Sequence, residues 1–254
     1  MNNLNILRKN GCDIYEKTDP ETFADKFSEA AKHNKNAECV DIHSAEEYSK
    51  MTCLTSKNGF VAVEKSGNIN SVLRDESVNE YTKPFLKGLM ANAMVHGGNK
   101  LDCFAITHKD INGNVKDAGL ADMYAKLGFI PVCRDKFNEG FAPDNWDYEK
   151  NGKPDIVFMY NIDSVEKMLE KSNDKKYSSY LTYLNKGEVP YIQDLPNYDP
   201  AQSSYEQALA YRDQIMKEAE EQFGKAVQQS NVENISKVSE NELVDENTDD
   251  ITKK

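Results

Sequence analysis

The side chains best able to hold a metal or attack a substrate are few and scattered. The chain has five cysteines, Cys12, Cys39, Cys53, Cys103 and Cys133, and four histidines, His33, His43, His96 and His108. The cysteines are odd in number, widely spaced and free of metal-type pairs. The histidines form no ligand spacing. Neither a zinc cage nor a disulfide framework is predicted. Cys39, Cys103 and Cys133 stand in apolar, strand-like runs, where a cysteine acts as a small hydrophobe. What remains is acid–base chemistry and anion binding. Lys83 and Lys87, in the run Lys83-Pro84-Phe85-Leu86-Lys87-Gly88, flank a predicted helix start. Free N–H groups and the positive end of the helix dipole favour an anion at such a place. Tyr124 offers a hydroxyl that stays protonated at neutral pH, since free tyrosine titrates near about 10.

Those groups need elements to hold them. Leu120, Met123, Tyr124 and Leu127 recur at helical spacing and predict one apolar face. Asp117 precedes that face and can accept first-turn N–H groups. Gly128 follows it as a helix stop, and Phe129–Arg134 reads as a strand. Upstream, residues 1–19 read as irregular. Pro20–His33 is a helix burying Phe23, Phe27, Ala30 and Ala31, with Asp19 as its cap. Glu38–Ile42 reads as a short strand. Ser44 and Glu47 have capping-box spacing, and their helix is expected to reach about Met51. Gly59–Glu64 and Ile69–Leu73 read as an antiparallel hairpin. A helix with Phe85, Leu89, Ala93 and Met94 on one face ends at Gly97-Gly98. Leu101–Ala105 is a strand, Thr107–Lys116 a polar loop, 135–153 a longer connection holding Trp146, and Pro154–Asn161 a closing strand.

After Asp163 the pattern changes. Two short helices, Ser164–Lys171 and one containing Tyr177, Tyr180, Leu181 and Leu184, precede a Pro/Tyr linker over Val189–Pro200. A longer helix over Tyr205–Phe223 carries Tyr205, Leu209, Arg212 and Met216 on one face. Gly224–Lys254 has too few large apolar residues to offset chain entropy and is expected to be a disordered acidic tail. The division is thus 1–19, 20–163, 164–223 and 224–254. Over 254 residues the net charge is −12 and the mean hydropathy −0.74. Such a chain lacks the basic footprint of a nucleic-acid binder. It also lacks a run of ~20 apolar residues for a membrane span. The first residues hold no apolar secretory stretch, so a cytoplasmic location is expected.

The segment Tyr-Ala-Lys-Leu-Gly-Phe at 124–129 resembles the YxKLGF segment of the GNAT superfamily of acyl-CoA-dependent N-acetyltransferases. The element order resembles that family from about Glu38 to Asn161: paired strands, a cofactor-side helix, a parallel strand, the tyrosine helix and two final strands. The run from Cys133 to Tyr160, with LDCF and YAKLGF, is similar to GNAT-like domains of phage and mobile-element proteins. The resemblance implies a mixed α/β (α+β) fold, with a mixed sheet flanked by helices and a helical C-terminal extension. It implies acetyl-CoA as co-substrate and an amine as acceptor. Tyr124 would then protonate the departing thiolate, and Lys83, Lys87 and Gly88 would lie at the pyrophosphate. Asp75, Glu76 and Asp102 are the candidates for a general base. The chain departs from the family's pattern in three places. Leu86 stands where the first glycine of the phosphate turn is expected, and Pro84 has no N–H to give. Asp117 and Leu120 replace Asn and Ala ahead of the tyrosine. The alternative is a non-catalytic GNAT-like module that binds a protein partner. The two readings diverge on one feature. A splay between the strands flanking the Lys83–Gly98 region leaves a slot for pantetheine, and closed pairing there does not.

Overall fold

The computed structural model describes residues 3–78, 85–143 and 145–245. The chain divides into a compact unit ending at Arg212 and a second unit beginning at Asp213. The first is a mixed α+β fold, as the sequence predicts. Its larger sheet is antiparallel, in the order β1 (Glu16–Lys17), β2 (Met51–Ser56), β3 (Gly59–Glu64) and β4 (Ile69–Arg74). A second sheet has the order β5 (Lys100–Phe104), β9 (Ile156–Tyr160), β8 (Ile130–Asp135), again antiparallel. The sheets meet at one parallel bridge, Asn68 to Lys100.

β3 shows how the sequence builds two layers. Successive side chains of a strand point to opposite faces. Phe60 and Ala62 join Phe23 and Phe27 of α2 (Pro20–His33), Tyr48 of α3 (Ala45–Tyr48) and Leu73 in one buried cluster. Val61 and Val63 enter the other cluster with Ile69 and with Leu89, Met90 and Ala93 of α4 (Phe85–Val95). The helix starts follow their cap chemistry. The Asp19 carboxylate accepts the Thr22 N–H, with Pro20 in the first turn, and both bonds of the Ser44–Glu47 capping box are made.

Several expectations are corrected. α3 stops at Tyr48 instead of Met51, because 51–56 is claimed by β2, which pairs along the whole of β3. Glu38–Ile42 forms no strand; the chain makes a single 3-10 turn over Ala37–Cys39 there. The described part of 1–19 is not irregular: α1 (Asn3–Lys9) buries Ile6 and Leu7, Tyr15 is buried, and Glu16–Lys17 adds the edge strand β1. Thr107–Lys116 is largely a small hairpin, β6 (His108–Lys109) with β7 (Val115–Asp117). The Asp110 carboxylate closes its turn on the N–H groups of Asn112 and Asn114.

The two short helices after Asp163 are α7 (Val165–Asn173), capped by Ser164, and α8 (Tyr180–Asn185), capped by Ser179. Met168, Leu169 and Tyr180 share the core cluster of α4, so this extension completes the domain. The last helix, α9, runs Ser204–Asp245, past the Phe223 boundary set from sequence. Among the described residues no helix is long and apolar enough to cross a membrane.

β4 carries an irregularity that matters below. Phe60 pairs with Leu73 and Ala62 with Asn70, so β4 holds one residue more than β3 between those pairs. Ser71 lies in the extra stretch with φ +53°, a conformation costing a non-glycine residue about 1–3 kcal/mol. Its hydroxyl shares a buried 3.0 Å hydrogen bond with the Tyr48 hydroxyl. Tyr48→Phe should therefore cost about 1 kcal/mol, read as a melting temperature lower by roughly 2–4 °C; an unchanged melt would mean that this bond does not hold the bulge. Removal of Gly224–Lys254, beyond the compact unit, should leave the melting temperature within about 2 °C, as a truncated chain would test directly.

Candidate functional site

β4 and β5 run parallel and adjacent at one end only. Beyond the Asn68–Lys100 bridge they form no ladder among the described residues. An extra residue bends and twists the strand that carries it, and β4 carries its extra residue at Ser71, three residues past the bridge. The side chains along the gap are only partly buried although they lie mid-fold: Asn70, Val72 and Arg74 on β4, Asp102, Cys103 and Phe104 on β5. Two facing strand edges without a shared ladder leave backbone donors and acceptors that need water or a ligand.

The tyrosine helix, α5 (Gly119–Ala125), packs on β5. Of the predicted face, Tyr124 and Leu127 are buried, whereas the other two residues are not. Leu120 is 39% and Met123 48% exposed, whereas Ala118, Ala121, Tyr124 and Ala125 are buried. Asp122 is buried too, where its carboxylate accepts the Leu181 N–H at the start of α8 (3.2 Å) and pairs with Lys126 (2.8 Å). Asp117 does not supply the predicted N-cap, a position taken by Ala118. Its carboxylate still accepts one early N–H, from Gly119 (3.1 Å), and pairs with His108 at 2.5 Å. At the far end Gly128 has φ +90°, and the Tyr177 ring lies where a Cβ would be.

Tyr124 is 3% exposed and packs edge-on against Phe129, with ring centroids 6.1 Å apart. Burial, with the neighbouring Cys103 and Asp102, pushes its hydroxyl far above the ordinary tyrosine range. It remains protonated at any physiological pH, as a proton donor must.

The predicted phosphate residues are placed differently. Lys83, with Pro84, lies outside the described residues. Lys87 is buried, and its ammonium donates to the Leu169 carbonyl (3.4 Å) and to the Asn173 side-chain oxygen, both on α7. Burial holds it below the usual lysine range. Gly88 faces the chain at Cys12–Asp13, where an added Cβ would lie 3.6 Å from the Cys12 Cβ. Both residues are thus engaged by the protein's own segments.

Of the candidate bases, Asp75 accepts the N–H and hydroxyl of Ser77 at 3.0 and 2.6 Å. It lines a cleft of about 690 Å³ with Asp13, Glu16, Lys26, Glu29 and Lys57. Glu76 accepts the Lys35 N–H at 3.3 Å. Asp102 alone lies on the strand beside Tyr124. Burial drives its carboxyl up to about 6, against the opposing effects of the Arg212 charge and a hydrogen bond from Tyr205. The part played by Tyr205 and Arg212 was not foreseen; an arginine on the otherwise apolar face of the last helix was the available signal. Among the described residues no group of three or more His, Cys, Asp or Glu could hold a metal ion. Compared with known protein families, curated proteins and solved structures, the chain matches none.

Lys87→Met keeps the aliphatic stem and removes the ammonium. If Lys87 ties α4 to α7, the substitution should destabilise by about 1–2 kcal/mol through unsatisfied acceptors, a drop of several degrees in thermal melts; a wild-type melt would release Lys87 for a ligand role.

Proposed function

We propose that this protein is a GNAT-like N-acyltransferase that carries an acetyl group from acetyl-CoA to an amine. The observation that supports this reading best is the parting of β4 from β5 beside the buried Tyr124. A linear, amide-bearing arm such as pantetheine suits a narrow slot between two open strand edges, since its amides can take up unpaired backbone groups. In the reaction the amine lone pair attacks the thioester carbonyl, and collapse of the adduct breaks the C–S bond. Tyr124 gives its proton to the departing thiolate. The proton shed by the amine passes to a carboxylate, for which we propose Asp102, on the strand that α5 packs against and close enough for its charge to act on the Tyr124 hydroxyl. The setting proposed is a cytoplasm, including that of a phage-infected cell.

A second reading has its own support: a GNAT-like module without catalysis that binds a protein partner. It is favoured by Leu86 in the place of a glycine and by the engagement of Lys87 and Gly88 within the fold. Calorimetry with acetyl-CoA decides between them. The acyltransferase reading requires binding heat and a rise in melting temperature at millimolar acetyl-CoA, and the absence of both would overturn it. With an acceptor found from a panel of amines, Tyr124→Phe should lower turnover by ~10²–10⁴-fold with little change in the melt.

A further inference from the structure

The parted ends of β4 and β5 each carry a surface segment. β4 ends at Arg74 and β5 at Phe104. The Arg74 carbonyl accepts a side-chain N–H of Asn34 at 2.8 Å, and Glu76, just beyond, accepts the Lys35 N–H at 3.3 Å. Residues 34–38 are thereby seated on the end of β4. At the end of β5 the Phe104 ring packs against Trp146, with centroids 4.9 Å apart, and against Phe137 at 6.1 Å. The Trp146 indole N–H donates to the Gly152 carbonyl at 3.0 Å, which closes 146–152 into a loop anchored on that end.

These two segments are tied to each other. The Lys150 ammonium pairs with the Glu38 carboxylate at 2.5 Å and donates to the Lys35 carbonyl. The Asn151 amide donates to the same Glu38 oxygen at 3.0 Å. The Glu38 side chain is 10% exposed and that of Lys150 38%. Charge-assisted bonds to a carboxylate so far out of water are stronger than those of an open surface pair. Beside the tie the same segments stand apart around a cleft of about 410 Å³, lined by Ala37, Val40 and Ile42 from one and by Pro143 and Asn145 from the other. The tie thus spans a space and does not continue a packed interface.

We infer that Glu38, Lys150 and Asn151 form a latch across the parted end of β4 and β5, and that its opening admits small molecules to the gap. One end of the gap is closed by the backbone bridge Asn68–Lys100, the other by bonds that each involve a side chain. The two closures differ in kind. Breaking the first disturbs the junction of two sheets, whereas side chains can swing between rotamers with every strand and helix intact. The latch acts on the gap itself, whatever the gap receives.

Cys103, half-buried on β5 along the gap, reports its opening. The full chain carrying Cys39→Ser, since Cys39 adjoins Glu38, is treated with iodoacetamide, and alkylation of each cysteine is followed by peptide mass mapping. The buried Cys53 and Cys133 monitor loosening of the whole fold. Glu38→Gln and Lys150→Met should each speed alkylation of Cys103 about tenfold, with Cys53 and Cys133 unchanged. The double variant should add nothing to either single one, because both break the same link. Lys153→Met, which breaks the exposed pair with Glu139 (2.7 Å) in the same connection, should leave the rate as it is. Wild-type rates at Cys103 in both latch variants would overturn the proposal, as would additive effects in the double variant. A matching rise at Cys53 or Cys133, or in Lys153→Met, would overturn it too, by showing general loosening in place of an opening at this end.

Discussion

One extra residue in β4 governs much of this molecule. It breaks the register between β3 and β4 at Ser71, a few residues past the Asn68–Lys100 bridge, after which β4 and β5 share no ladder among the described residues. The cost is a serine held at positive φ, and the compensation is local: the Tyr48 hydroxyl, itself buried among Phe23, Phe27 and Phe60, bonds to that serine. The aromatic cluster under α2 thus fixes the backbone at that break, although it lies on one face of the sheet and forms no part of the gap's walls.

On the opposite face α5 packs on β5, with Ala121, Tyr124 and Ala125 buried. The C-terminal extension docks on that helix at two points, at Asp122 in its middle, which accepts the Leu181 N–H, and at Gly128 just beyond its end, which leaves room for Tyr177. Lys87 makes the matching attachment from α4 to α7. The extension is therefore joined to both α4 and α5, and one of these joints uses Lys87, which the acyltransferase reading would assign to the cofactor. That tension is the reason two functional readings stand side by side, and why ligand binding, more than further geometry, separates them.

The sequence by itself determined the elements whose signals are local. Asp19 before Pro20, the Ser44–Glu47 box, and the Ser66-Gly67-Asn68 turn between the runs Gly59–Glu64 and Ile69–Leu73 each act within a few residues, and each is present as read. The segment ending in Gly128 was legible as helix, stop and strand for the same reason. What only the tertiary structure decided depends on partners distant in sequence. β2 was hidden because its pairing with β3, not its own polar-rich pattern, makes it a strand. The face of α5 was read in part: Tyr124 and Leu127 are buried as expected, but Ala121 and Ala125 share the buried side while Leu120 and Met123 are exposed. The site shows the same division. The burial of Tyr124 was legible from its segment, whereas the environments of Lys87 and Asp102 were set by Asn173 and by Tyr205 and Arg212, a hundred or so residues away in some cases. Charge and burial at a buried group are sums over everything that surrounds it, and those surroundings exist only once the chain has folded.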